Sequence, residues 1–248
     1  MWSDAAATRF AGLTAIVTGA SQGIGLAIAE QLCSRGATVA LVARDANRLQ
    51  IAATAIGPRA LPLALDLTQE SSLTALVEDM RTTLPRLDIL VHAAGSFVSG
   101  TLEETSLEQL DRLFAINLRA PHALTRLALP LLRASQGQVV FINSSVVQAA
   151  RLDRRGAYAA TKFALKAIAD SLRDELNPEG VRVMSVYPGS TATPMQAQLH
   201  ADAGRVYAPE RLLQPLDVAL AVCAALELPR TAEATDIHVR PMRAVSAS

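Results

Sequence analysis

Val17-Thr18-Gly19-Ala20-Ser21-Gln22-Gly23-Ile24-Gly25-Leu26 is the stretch that decides the architecture. Before it, residues 13–17 (Leu-Thr-Ala-Ile-Val) make a short β-rich run with no polar alternation, as expected of a strand buried on both faces of a parallel sheet. After it, the apolar spacing over residues 26–34 is helical. Strand, glycine turn and helix therefore follow one another. Glycines at such a junction let the backbone turn tightly and approach a pyrophosphate, while the helix amino terminus offers unpaired N–H groups and the positive end of its dipole. The spacing G-x-x-x-G-x-G differs from the common G-x-G-x-x-G, and a glycine turn alone also serves plain geometry. Its place after the first strand makes Gly19, Ser21, Gln22, Gly23, Ile24 and Gly25 candidate dinucleotide contacts.

Outward from that turn the alternation continues. A second strand over 38–43 ends at Ala43, eighteen residues beyond Gly25, where an acid would accept the ribose hydroxyls of NAD. The chain has Arg44 next, and a guanidinium without an acid favours a ribose 2′-phosphate, hence NADP over NAD. The bland alternative is a solvated arginine before a helix over 46–56. A third strand over 60–65 ends at Asp66-Leu67, where Asp66 either accepts from an adenine amino group or caps a helix starting near Gln69. Both residues count as cofactor candidates.

A helix over 71–83, stopped by Pro85, leads to a strand over 88–91 and into His92-Ala93-Ala94-Gly95. Ala94 and Gly95 would let a cofactor lie against the chain, and His92 reads as a strand-end histidine bonded to backbone. The helical pattern over 106–118 carries Asn117 on a largely apolar face and continues past Pro121 to Leu132. A buried amide needs partners, so Asn117 either binds neighbouring backbone or orders water. A fifth strand over 138–142 delivers Asn143-Ser144-Ser145, and a helix spans 157–177. A sixth strand over 180–186 ends in a loop where Pro188, Gly189, Thr191 and Thr193 suit a turn around a nicotinamide carboxamide. Residues 195–209 lack a clear period, with Gly204 as a possible hinge, and a lid is expected around 193–209. A helix over 215–228 and an edge strand over 235–239 follow. The expectation is one α/β domain over 1–248, a doubly wound parallel sheet with helices on both faces.

Tyr158-Ala159-Ala160-Thr161-Lys162 places a phenol and an ammonium at i and i+4, one above the other on a helix. Lowering a phenol from about 10 by about three units takes roughly 4 kcal/mol. One ammonium about 4 Å away supplies that at an effective dielectric of about 20. With Ser145 thirteen positions earlier to hold an oxygen, Ser145, Tyr158 and Lys162 read as a proton-transfer site for a C–O centre. Arg151, Asp153, Arg154 and Arg155, between the serine and the tyrosine, read as solvent-facing charges rather than as selectors of an anionic substrate.

The 248 residues carry formal net charge 0 and no block of like charge, which gives a phosphate backbone or an anionic membrane nothing to bind. Apolar runs fall short of a membrane span, and Met1-Trp2-Ser3-Asp4 lacks a basic region followed by an apolar core, so the reading places the chain in the cytoplasm. Cys33 and Cys223 read as buried hydrophobes, and His92, His122, His200 and His238 are spaced unlike metal ligands, so no metal is expected.

Taken together the motifs resemble the short-chain dehydrogenase/reductase family in its compact single-domain, Rossmann-type branch, from Thr14 to about Thr193. Thr18-Gly19-x-x-x-Gly23-Ile24-Gly25 is similar to its cofactor turn, Tyr158-x-x-x-Lys162 with Ser145 to its catalytic set, and Pro188-Gly189 with Thr193 to its nicotinamide-side loop. The resemblance implies NADP(H)-dependent hydride transfer between nicotinamide and a carbonyl or secondary alcohol. Tyr158 would be the acid/base, Ser145 the orienting hydroxyl, Lys162 the ribose ligand and Asn117 the anchor of a water relay. It also implies a homo-oligomer, dimer or tetramer, through the helices carrying Asn117 and Tyr158. Two departures stand out: His92-Ala93 replaces a usual Asn-Asn, and Asp236-Ile237-His238-Val239-Arg240-Pro241 replaces a glycine-rich finish. A dinucleotide-binding sensor or scaffold without turnover would share the fold.

Overall fold

In the computed structural model, which describes residues 9–83 and 86–242, the strands β1 (Thr14–Thr18), β2 (Thr38–Ala43), β3 (Ala60–Ala64), β4 (Ile89–His92), β5 (Gln138–Ile142), β6 (Arg182–Pro188) and β7 (Asp236–Val239) form one sheet. Every pairing is parallel and the order is β3-β2-β1-β4-β5-β6-β7. Strands β1, β4, β5 and β6 are buried along their whole length. That burial explains why they read as continuous apolar runs instead of alternating ones. The edge strand β7 alternates exposed and half-buried residues.

Helices α1 (Gly23–Ser34), α2 (Ala46–Ile56) and α8 (Pro215–Leu226) contribute to one apolar layer, with Ile28, Leu32, Leu49, Val218 and Val222 packed on Val17, Leu41 and Val186. Helices α3 (Glu70–Thr83), α5 (Ala120–Ser135) and α6 (Gly156–Leu176) contribute to the other, with Leu73, Met80, Leu124, Leu165 and Leu176 on Ile16, Leu90, Phe141 and Val183. Chain order reverses between β1 and β4, which opens a crevice at their carboxyl ends, the usual ligand site of an open α/β sheet. None of the described helices is long and apolar enough to cross a membrane. Among the described residues no group of three or more His, Cys, Asp or Glu could hold a metal ion.

Two segments differ from expectation. Residues 195–209 were expected without regular structure, yet α7 (Pro194–Asp202) forms there. Thr193 caps it by accepting Gln196 N–H at 3.2 Å, and Pro194 occupies the first turn. That Thr-Pro start is a local signal of helix initiation. The second concerns the helix through Pro121. α4 (Leu107–Phe114) runs into α5 through a π turn at Ala115–Arg119, in which Ala120 N–H reaches Ala115 C=O. The widened turn lies just ahead of the proline, which has no N–H to give, and it carries Asn117 inward. Pro85, the expected helix stop, lies outside the described residues, as do Met1-Trp2-Ser3-Asp4 and the tail beyond Met242.

His92 is 4% exposed and stacks on Phe141 at 4.9 Å. Its partner is a side chain rather than backbone: Nε2 lies 2.8 Å from Thr125 Oγ1. The Thr125 hydroxyl donates to Pro121 C=O at 2.8 Å, so the imidazole Nε2–H donates to threonine. Burial pushes its pKa from 6.5 down to about 3. Between those values the unfolded chain binds the extra proton and the folded chain does not, so stability falls as pH falls. From pH 6.5 to 5 the loss from this one residue is about 2 kcal/mol. In urea titrations at the two pH values, His92→Phe should keep the stack and shrink the wild-type difference by that amount. An undiminished difference would mean that the imidazole titrates normally in the fold.

Candidate active site

The crevice at the switch point is a cleft of about 620 Å³. Its floor begins at the glycine turn, where Gly19 has φ +68° and lies against the β4–α4 loop. A Cβ at Gly19 would sit 2.8 Å from Ala94 backbone, and one at Gly25 would sit 2.5 Å from Gly19 C=O. Neither position tolerates a side chain. Gln22 precedes α1 in extended conformation without capping it, and the first turn of α1 carries no acidic residue. The leading N–H groups of α1 thus keep their hydrogen-bonding capacity and positive dipole end for an anion. Such a cradle fits a dinucleotide pyrophosphate.

Gly19, Ser21, Gln22, Gly23, Ile24 and Gly25 all line the cleft, and Arg44 and Leu67 line it beyond them. Ala94, Gly95, Tyr158, Lys162 and Thr193 complete the expected set that the fold brings together. Asp66, Asn117, Ser145, Pro188, Gly189 and Thr191 lie outside the lining. Asp66 accepts Thr68 N–H at 2.9 Å and the Thr68 hydroxyl at 2.8 Å. Those bonds, the backbone one first, hold its carboxyl below the usual range. Of its two readings, the turn at the start of α3 is the one these bonds serve. Gly189 N–H donates to Val239 C=O at 2.8 Å and its C=O accepts the Thr191 hydroxyl at 2.9 Å, a turn that ties β6 to β7.

Asn117 is 1% exposed and its amide is spent on the protein: Oδ1 accepts Ser96 N–H at 2.8 Å, and Nδ2 donates to Ser96 C=O at 3.0 Å and to Thr161 Oγ1 at 3.1 Å. These bonds pin the β4–α4 loop and α6 to the π turn. Binding to neighbouring backbone, one of its two readings, is present at Ser96.

Tyr158 and Lys162 do share a face of α6, but their electrostatics differ from the expectation. The Lys162 ammonium sits 5.8 Å from the Tyr158 ring centroid and donates to Ile142 C=O at 3.0 Å. Burial lowers the lysine from 10.5 to about 8. The phenol is pushed up, above its usual 10, because burial penalises its anion more than the neighbouring Ser144 hydroxyl favours it. The expected lowering of the phenol is thus corrected to a rise, caused by its burial, while the ammonium is aimed at a carbonyl. Phe97 contributes to that dry surrounding, its ring 4.6 Å from that of Tyr158.

The Ser144 hydroxyl lies by the phenol, and like Ser145 it is outside the cleft lining. Ser144 also accepts Val146 N–H at 3.2 Å, opening a single 3-10 turn at Ser145–Gln148. Ser145, expected there from its spacing, is the first residue of that turn. The charged cluster that follows is exposed, and Arg154 pairs with Glu104 at 2.6 Å.

Several lining residues escaped the sequence reading, among them Asp45, Arg48, Ser96 and Ile116, and Asn143 lines the cleft as well. Asn143 Nδ2 donates to Lys162 C=O at 3.2 Å while its buried Oδ1 has no partner. Its position at the carboxyl end of β5 was the available signal. Arg48 lies one turn into α2, where only the fold shows that it reaches the glycine turn.

Comparison with known proteins gives a consistent result. Residues 13–204 match the family model described as short chain dehydrogenase. An uncharacterized oxidoreductase of Staphylococcus epidermidis is 32% identical over 229 residues, covering 92% of this chain and 96% of the relative. A metagenomic short-chain oxidoreductase solved with NADP superimposes with TM-score 0.82 at 31% identity, over 95% of this chain and 100% of that one. A 3-ketoacyl-(acyl-carrier-protein) reductase from Brucella melitensis, solved with NADH, gives TM-score 0.83 at 26% identity, over 94% and 99%.

Proposed function

The chain belongs to the short-chain dehydrogenase/reductase family and is an oxidoreductase of that type, and from this premise we propose reversible, NADP(H)-dependent hydride transfer between nicotinamide and a carbonyl or secondary alcohol. The observation that carries it is one cleft lined by the glycine turn, by Arg44 and by the Tyr158–Lys162 pair. The nicotinamide supplies the hydride. The glycine turn and α1 would hold the pyrophosphate, Arg44 the 2′-phosphate, Leu67, Ala94 and Gly95 the adenosine and ribose side, and Lys162 and Thr193 the nicotinamide end.

The protein's own contribution is a proton held in place. Burial disfavours the Tyr158 phenolate and so favours the protonated phenol, which is the form that donates to a carbonyl oxygen gaining negative charge. Ser144 is the hydroxyl beside it to orient that oxygen, with Ser145 one residue away. Lys162, held by Ile142 C=O, keeps a cation beneath the ring. Asn117 holds Ser96 and Thr161, and so the two walls between which the substrate oxygen would enter. Met195 and Pro194 of α7 line the cleft, which supports 193–209 as a lid. Leu107 on α4 and Phe163 on α6 are exposed apolar residues, at 79% and 46%, which supports a homo-oligomer through those helices.

Cofactor preference is tested by titrating NADPH and NADH against the wild type and Arg44→Ala. The parent should prefer NADPH by about tenfold or more, and the variant should lose most of that preference while binding NADH as before. Equal affinity of the parent for both would defeat the NADP assignment. NADPH oxidation across ketones, aldehydes and quinones then narrows the substrate class.

A further inference from the structure

A ribose 2′-phosphate carries close to two negative charges at neutral pH, and Arg44 brings one positive charge. The same end of the cleft holds a second guanidinium, that of Arg48, one turn into α2. Its Nη1 donates to Gln22 Oε1 at 3.0 Å, so a side chain of α2 is fastened to the glycine turn. Its Nε lies 3.2 Å from Asp45 Oδ2, and the other Asp45 oxygen accepts Arg48 N–H at 3.0 Å as the cap of α2. Asp45 is the one carboxylate among the residues lining the cleft, against Arg44, Arg48 and Lys162.

We propose that Arg48 is the second cation of the 2′-phosphate seat and a determinant of cofactor choice, an inference that rests on the NADP reading of Arg44. The pairing of Arg48 with Gln22 and Asp45 holds the guanidinium beside the glycine turn, in the lining of the cleft. Both contacts are exposed and replaceable, so a dianion between Arg44 and Arg48 offers Arg48 better acceptors than the Gln22 amide it holds. A ligand without the 2′-phosphate offers no such exchange, which makes the effect selective. Asp45 then has a double task, capping α2 and aligning the fork.

Direct titration of NADPH and NADH by fluorescence, with Arg48→Ala and Arg48→Lys beside Arg44→Ala, tests this. Arg48→Ala should weaken NADPH about tenfold and leave NADH within about twofold. Arg48→Lys should recover part of the loss, since a point charge lacks the guanidinium fork. If Arg44→Ala costs NADPH affinity and Arg48→Ala does not, the inference falls and the NADP reading stands. If Arg48→Ala weakens both cofactors equally, Arg48 is a strut for the glycine turn and the inference falls too. If the parent fails to prefer NADPH, the NADP reading itself fails and takes the inference with it.

Discussion

Tyr158→Phe lowers turnover by about 10³-fold while NADPH still binds within about twofold of the wild type, because general acid catalysis contributes roughly 10² to 10⁴ and the ring is retained. The phenylalanine keeps the contact with Phe97 and the apolar surface over Lys162, so fold and cleft are preserved. What it removes is one proton at one place. No other hydroxyl substitutes well: that of Ser144 is a far weaker acid, and its oxygen already accepts Val146 N–H. Rates are measured as NADPH oxidation with the best carbonyl from the panel, and binding by NADPH fluorescence. Turnover that survives the substitution would remove Tyr158 from the chemistry. A parent without turnover on any carbonyl or alcohol, yet binding the dinucleotide, would favour a sensor.

The second large effect is expected at Gly25. Gly25→Ala places a methyl 2.5 Å from Gly19 C=O, which is closer than real Cβ contacts allow, and the obstacle is backbone. The turn and α1 must separate, which misaims the N–H groups that face the cleft. Ala improves helix propensity by about 1 kcal/mol over Gly, but overpacking of this kind costs about 1–3 kcal/mol or more. The net result should be a fall in Tm of a few degrees together with a loss of NADPH affinity of about 100-fold. Gly156→Ala serves as control, since its Cβ would meet nothing within 4 Å. Gly25→Ala binding NADPH like the wild type would mean that the close approach of turn and helix is not what shapes the site.

Both effects trace to features of different legibility. Tyr158 and Lys162 are four apart on a helix, so their shared face follows from the helical repeat alone. The glycine turn is equally local, flanked by a β-rich run and a helical one, and the helix initiated by Thr193-Pro194 could have been read the same way. The Ser144 hydroxyl near the phenol could not, because Ser144 and Ser145 are chemically identical neighbours. Asn117 was visible as an amide on an apolar face, but its partners Ser96 and Thr161 lie 21 and 44 residues away. Arg48 and Gln22, 26 apart, are neighbours only because β1 and β2 pair in parallel and bring the first turns of α1 and α2 to one end.

The chain by itself therefore determined the alternation of strands and helices, the parallel sheet and the shared face of Tyr158 and Lys162, since each follows from periodicity or from spacing within one element. Only the tertiary structure shows the burial that pushes the Tyr158 phenol up, the Ser144 hydroxyl near it and the hydrogen-bond partners of Asp66 and Asn117. Those depend on which distant segments close over a group and withdraw its water, and that free energy is a property of the packed assembly of elements.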